Sequence, residues 1–116
     1  MKYEVKFTTQ FKKDIKRAEK QNRNLNKLFG VIDLLVHGKP LEAKYRDHAL
    51  SGKYKGTREC HIDPDWLLVY EHLNNILVLI LHRAGSHSYI RNSVNILTSG
   101  GNHAYCIHRF AGAHSK

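Results

Sequence analysis

Six consecutive apolar residues, Ile76-Leu77-Val78-Leu79-Ile80-Leu81, constrain the fold of this chain more than any other stretch. A strand with one face in water alternates apolar and polar side chains, whereas an unbroken apolar run needs cover on both faces. The run falls far short of the roughly 20 residues a membrane-spanning helix needs, so it is read as a central strand, with no membrane partner. Leu67-Leu68-Val69 repeats the pattern. Strands are therefore predicted at about Thr57 to Ile62, Trp66 to Glu71 and Ile76 to His82. Asp63-Pro64-Asp65 and Leu73-Asn74-Asn75 form the turns of an antiparallel meander.

The cover has to come from another part of the chain. Phe11, Ile15 and Ala18 recur at helical spacing after Thr8 or Thr9, either of which can cap a helix. The outward positions then carry Lys12, Lys13, Lys16, Arg17 and Lys20. A second stripe, Leu25, Leu28, Phe29, Ile32, Leu35 and Val36, ends at Gly38-Lys39-Pro40. The spacing predicts two antiparallel helices, about residues 9 to 22 and 25 to 37, packing as a hairpin on the sheet. Before them Tyr3, Val5 and Phe7 alternate as in a half-buried strand. The result is an α+β domain of order βααβββ, a small antiparallel sheet with an N-terminal helical hairpin packed on it. With 116 residues, 41% of them hydrophobic, the chain can bury one such core and not two.

Residues 1–90 hold all of this pattern. Residues 91–116 carry three Lys or Arg, three His, no acidic residue and no clear period, and Thr98-Ser99-Gly100-Gly101-Asn102 reads as a linker. This segment is expected to be a flexible extension that adds little to the fold. Leu41 to Lys55 is expected to be a surface loop. Its Lys44, Tyr45, Arg46, His48, Lys53, Tyr54 and Lys55 interleave charge with aromatic faces, as RNA-binding loops do. A formal net charge of +9 also favours an anionic partner, because lysine and arginine displace counterions from phosphates.

Cys60 and Cys106 form no CxxC pair and are read as structural thiols. The N-terminal residues lack the apolar core of a secretory signal, which makes the cytoplasm the expected compartment.

Chemistry concentrates in Asp47-His48-Ala49-Leu50, His61-Ile62-Asp63-Pro64-Asp65-Trp66 and Arg83-Ala84-Gly85-Ser86-His87-Ser88. In the predicted meander His61 closes a strand, Asp65 lies in the next turn, and His87 follows the strand that ends near Arg83. RNA cleavage without a metal or other cofactor needs a base for the 2′-hydroxyl, a cation for the phosphorane and an acid for the leaving 5′-oxygen. Asp65 or His61 is the candidate base, Arg83 with Lys53 or Lys55 the phosphate clamp, and His87 the acid, with His48 assisting. A second reading makes His61, Asp63, Asp65 and His87 ligands of a divalent metal. His37, His72 and His82 lie near helix or hairpin ends and need no special role.

The ordered series Tyr45-Arg46-Asp47-His48-Ala49-Leu50, Gly52, Lys55-Gly56, Arg58-Glu59-Cys60-His61, Pro64-Asp65-Trp66-Leu67-Leu68-Val69-Tyr70 and Arg83-Ala84-Gly85-Ser86-His87-Ser88 resembles the RelE-like toxins of type II toxin–antitoxin systems, and most closely their YafQ branch. The resemblance covers about residues 1 to 90. It implies a ribosome-dependent endoribonuclease that cuts mRNA and stops translation. It also implies a cognate antitoxin, typically a ribbon-helix-helix protein through which alone the toxin reaches operator DNA. Functional positions carried over from the family fall on His48, His61, Asp65 and His87, with Arg83 close to the scissile phosphate. Two features depart from that pattern. His87-Ser88-Tyr89-Ile90-Arg91 places an arginine where the family has a phenylalanine, and the chain continues beyond it. The alternative function is a toxin-like module that binds antitoxin or RNA without efficient cleavage.

Overall fold

The computed structural model describes residues 2–90 and 107–109. Strand β1 (Glu4–Thr8) leads directly into helices α1 (Thr9–Lys20) and α2 (Leu25–Val36). The short β2 (His48–Ala49) and the strands β3 (Arg58–Asp63), β4 (Trp66–Leu73) and β5 (Val78–Gly85) follow, and β6 (Ile107–Arg109) comes last. The sheet order is β2-β3-β4-β5-β1-β6.

Local chemistry sets the helix ends. Thr8 Oγ1 accepts the Phe11 amide at 3.0 Å and donates to the His82 carbonyl at 2.9 Å, so one hydroxyl caps α1 and ties it to β5. Asn24 Oδ1 accepts the Asn26 amide at 3.0 Å and caps α2. At the far end Gly38 takes φ +68°, with its amide bonded to the Leu35 carbonyl and the Lys39 amide to the Leu34 carbonyl, a Schellman closure.

The expected stripe packs as predicted. Phe11, Leu28, Ile32 and Leu35 are buried, Ile15 is partly so, and they meet Leu68, Tyr70, Leu79 and Leu81 of the sheet in one cluster. Leu67 and Val69 face away from the helices, where Ile90, Leu50 and Tyr54 cover them. The unbroken apolar run of β4 thus has both its covers, one helical and one from the chain around residues 50–54 and 90.

Four expectations change. First, β1 pairs with β5 in parallel, Val5 opposite Leu79, so the sheet is mixed rather than wholly antiparallel. The helical hairpin lies between β1 and the meander in the chain, and a crossover of that length permits a parallel return. Second, β5 begins at Val78: Leu77 turns at φ +52°, leaving Ile76 62% and Leu77 37% exposed. Third, the 41–55 segment is more than a loop. It contains β2 and two 3₁₀ turns, Ala43–Tyr45 and Gly52–Tyr54. Fourth, β6 pairs antiparallel with β1, Phe7 opposite His108, so residues 107–109 of the extension join the sheet. The rest of the extension, Arg91 included, lies outside the described residues.

Two register shifts sit where the chemistry is expected. Pairing passes from His61–Leu67 to Asp63–Trp66, leaving Ile62 as the extra residue of β3. It passes from Val69–Arg83 to Tyr70–Leu81, leaving His82 as the extra residue of β5. Bulges of this kind re-aim the side chains beyond them.

Candidate active site

After β5 the chain turns at Ser86 into a helical turn over residues 87–90. The Ser86 hydroxyl accepts the Tyr89 amide at 3.2 Å and the Ser86 carbonyl the Ile90 amide at 3.0 Å, which fixes the turn. His87 is its first residue. Asp65, in the β3–β4 turn, accepts the His87 amide at 3.1 Å and contacts His87 Nδ1 at 2.9 Å through the same oxygen. A carboxylate only accepts, so Nδ1 carries the proton toward Asp65 and Nε2 is the nitrogen available for proton transfer. Those bonds, the side-chain one foremost, hold the Asp65 carboxyl below its usual pKa. The His61 ring stands edge-on to His87, with centroids 5.5 Å apart.

His48 comes from β2, whose pairing places it opposite Glu59. Its Nδ1 lies 2.8 Å from the Arg46 carbonyl and its Nε2 3.3 Å from Glu59 Oε1. The neighbouring Asp47 anchors this loop to the sheet. It accepts from Arg58 Nε at 3.1 Å and Nη2 at 2.9 Å, and from the Tyr70 hydroxyl. Its bonds to Asp47 raise the Arg58 pKa, and burial first, then Asp47, raises that of Tyr70. Cys60 between these groups is fully buried, and burial pushes its thiol up to about 12, so it is a packing residue.

His48, His61 and His87 line one cleft, with Lys27, Lys44, Tyr45, Arg46, Glu59 and Asp63 also in its wall. At about 1390 Å³ and open to solvent, it exceeds the usual volume of a small-molecule pocket and suits a polymer. Three of the four expected catalytic residues therefore share a cleft, and the fourth, Asp65, stands behind His87.

The expected phosphate clamp is a different matter. Arg83 is 1% exposed and bonds Asp14 of α1, Nε to Oδ2 at 2.9 Å and Nη2 to Oδ1 at 3.3 Å. Burial opposes its charge, but the bonds and charge of Asp14 outweigh that and raise its pKa. In this arrangement Arg83 is the partner of a buried carboxylate, not a group on the cleft wall. Lys55 is exposed and outside the cleft lining, and the Lys53 side chain lies outside the described residues. The two carboxylates of the metal reading also diverge: Asp63 meets Lys27 Nζ at 2.8 Å, and Asp65 meets His87.

Asp14 went unrecognised, although it lies three residues after Phe11 and four before Ala18, on the apolar face of α1. It also accepts the Ala84 amide at 2.9 Å and the Tyr89 hydroxyl at 2.9 Å, joining α1 to both ends of the segment that carries His87. Glu59 was likewise missed as the partner of His48. Three other described histidines, His37, His72 and His82, bond within the fold: His72 Nε2 lies 3.0 Å from the Leu35 carbonyl, His82 Nε2 3.0 Å from Glu71, and His37 Nδ1 2.8 Å from the Asp33 carbonyl.

Comparison with known proteins places the chain in a family. Residues 3–92 match the family model described as the bacterial toxin of type II toxin–antitoxin system, YafQ. The mRNA interferase toxin YafQ of Escherichia coli K12 is 37% identical over 86 residues, 73% of this chain and 91% of that protein. The crystal structure of the E. coli DinJ-YafQ toxin–antitoxin complex contains a chain superposing with TM-score 0.71 at 35% identity, covering 78% of this chain and 98% of that one. The metal-bound toxin from Helicobacter pylori superposes with TM-score 0.71 at 40% identity, covering 78% and 99%. With a family match over most of its length and the fold in agreement, the chain belongs to the YafQ family of bacterial type II toxin–antitoxin toxins.

Proposed function

We propose that the chain is an mRNA interferase, an endoribonuclease that cuts mRNA on the ribosome by acid–base chemistry of its histidine cleft. The observation that carries this reading is the Asp65–His87 pair beside the His61 ring. Asp65, ionised to lower pH than an ordinary carboxylate, orients His87 instead of taking a proton itself. His61 takes the 2′-hydroxyl proton, and the 2′-oxygen attacks phosphorus. His87 enters this step as the imidazolium, with Nδ1–H on Asp65 and a second proton on Nε2; the 5′-oxygen leaves with the Nε2 proton, giving a 2′,3′-cyclic phosphate and a 5′-hydroxyl. His48, held between the Arg46 carbonyl and Glu59, assists from β2.

Among the described residues no group of three or more His, Cys, Asp or Glu is placed to hold a metal ion, and no step here is routed through one. The partner expected is a cognate antitoxin, by analogy with the E. coli YafQ solved with DinJ, and the family resemblance implies one of the ribbon-helix-helix type. The proposed place of action is the cytoplasm; no described helix is long and apolar enough to cross a membrane.

Induced expression tests the reading. The wild-type chain should arrest growth with cleaved transcripts, His87→Ala should not, and co-expression of the antitoxin should relieve the arrest. Equal arrest by wild type and His87→Ala without transcript cleavage would favour the non-catalytic binding module instead.

A further inference from the structure

With Arg83 committed to Asp14, the cleft needs another cation to meet the phosphate, and the geometry points to Arg46. Resting on the ribonuclease reading above, the inference is that the Arg46 guanidinium binds the scissile phosphate while its carbonyl orients His48.

Three cations lie in the cleft wall, and two have carboxylate partners. Lys27 Nζ is 2.8 Å from Asp63, and Lys44 Nζ is 3.7 Å from Glu42. Arg46 makes no side-chain ion pair among the described residues, and its nearest acidic neighbour in the chain, Asp47, is already occupied by Arg58 and Tyr70. An exposed guanidinium on a cleft wall that also carries three imidazoles suits a phosphate, which it grips through paired N–H donors.

The backbone makes the same point independently. Arg46 holds φ +50°, a left-handed conformation that costs a residue with a Cβ and that glycine or asparagine would take more easily. Two bonds keep it there: its amide to the Ala43 carbonyl at 3.0 Å, and its carbonyl to His48 Nδ1 at 2.8 Å. A strained arginine at a functional site implies that the side chain is worth more than the strain. A turn without that requirement would be better served by glycine.

The experiment compares Arg46→Lys, Arg46→Gly and Arg46→Asn with wild type and His87→Ala on mRNA bound to translating ribosomes. Glycine and asparagine fit the left-handed turn, so their melting temperatures should equal or exceed that of wild type. Their kcat should fall by about tenfold to a hundredfold, while lysine retains most of the rate. Millimolar guanidinium should restore part of the lost rate in Arg46→Gly and leave wild type unchanged. Rates within twofold of wild type for both the glycine and asparagine variants would overturn the inference. A lowered rate that guanidinium does not rescue would overturn it too, assigning Arg46 to loop shape alone. His87→Ala cleaving as fast as wild type would instead overturn the ribonuclease reading on which the inference rests.

Discussion

One oxygen of Asp65 holds His87 twice, accepting its backbone amide at 3.1 Å and its ring Nδ1 at 2.9 Å. The double contact fixes both the start of the helical turn and the tautomer of the ring. Replacing Asp65 with Ala removes both and should lower cleavage about a hundredfold, the scale on which a positioned acid or base acts, with little change in melting temperature since the side chain is exposed. Asp65→Asn keeps an acceptor oxygen and should lose less. Because the Asp65 pKa is depressed, the acid limb of the wild-type pH–rate profile should not be set by its protonation. A profile whose acid limb disappears in Asp65→Asn, while kcat on the plateau is unchanged, would contradict that.

Gly85 is where the sequence spends a glycine for the site. A Cβ there would lie 2.5 Å from Cδ2 of the Tyr89 ring, closer than such atoms approach, so Tyr89 must shift and draw the turn bearing His87 with it. Displacements of about 1 Å at a reacting group cost on the order of a hundredfold in rate. Gly85→Ala should therefore cut kcat strongly while circular dichroism stays native. Wild-type turnover in that variant would show that the close packing of Tyr89 on Gly85 does not position His87.

The Asp14–Arg83 pair makes a stability prediction. Both side chains are essentially inaccessible, so Asp14→Ala strands a buried guanidinium and should cost about 3–5 kcal/mol in denaturant melts. The double replacement Asp14→Leu with Arg83→Met removes both charges and should recover much of that loss. Equal destabilisation by the single and double variants would contradict a buried pair.

His82 supplies a pH dependence. Burial depresses its pKa despite Glu71 at 3.0 Å. Below about pH 6.5, the ordinary histidine value, the unfolded chain takes up this proton before the folded one does. Stability contributed by a neutral His82 is thus complete above about pH 6.5 and declines as pH falls from there toward the lower folded pKa. Between pH 7.5 and 5.5 wild type should lose more melting temperature than His82→Gln. Parallel losses would show that the depressed His82 pKa is not a source of the acid sensitivity.

The helices and central strands were legible because they bury long periodic or unbroken apolar patterns: Phe11 to Ala18, Leu28 to Val36 and the β4 and β5 runs. What the sequence obscured was held together by polar pairing at a distance. Strand β2 is two exposed residues, defined by its register with Arg58 and Glu59 and not by any apolar signal. Arg83 follows the apolar run of β5 and reads as a phosphate clamp, yet its partner Asp14 lies 69 residues earlier. The site divides in the same way. The nearness of His61, Asp65 and His87 follows from the meander, whereas Glu59 behind His48 depends on a strand the pattern does not announce.

The central claim is that the histidine cleft itself cuts RNA. Its most direct measurement is single-turnover cleavage of mRNA on programmed ribosomes with EDTA-treated protein, keeping the magnesium the ribosome needs, alongside His87→Ala and the naked transcript. Wild-type cleavage should be unaffected by chelator treatment and leave 5′ fragments ending in a 2′,3′-cyclic phosphate, with far slower cutting of the naked transcript and none detectable with His87→Ala. Cleavage abolished by the chelator treatment and restored by a transition-metal ion, or undiminished in His87→Ala, would contradict it.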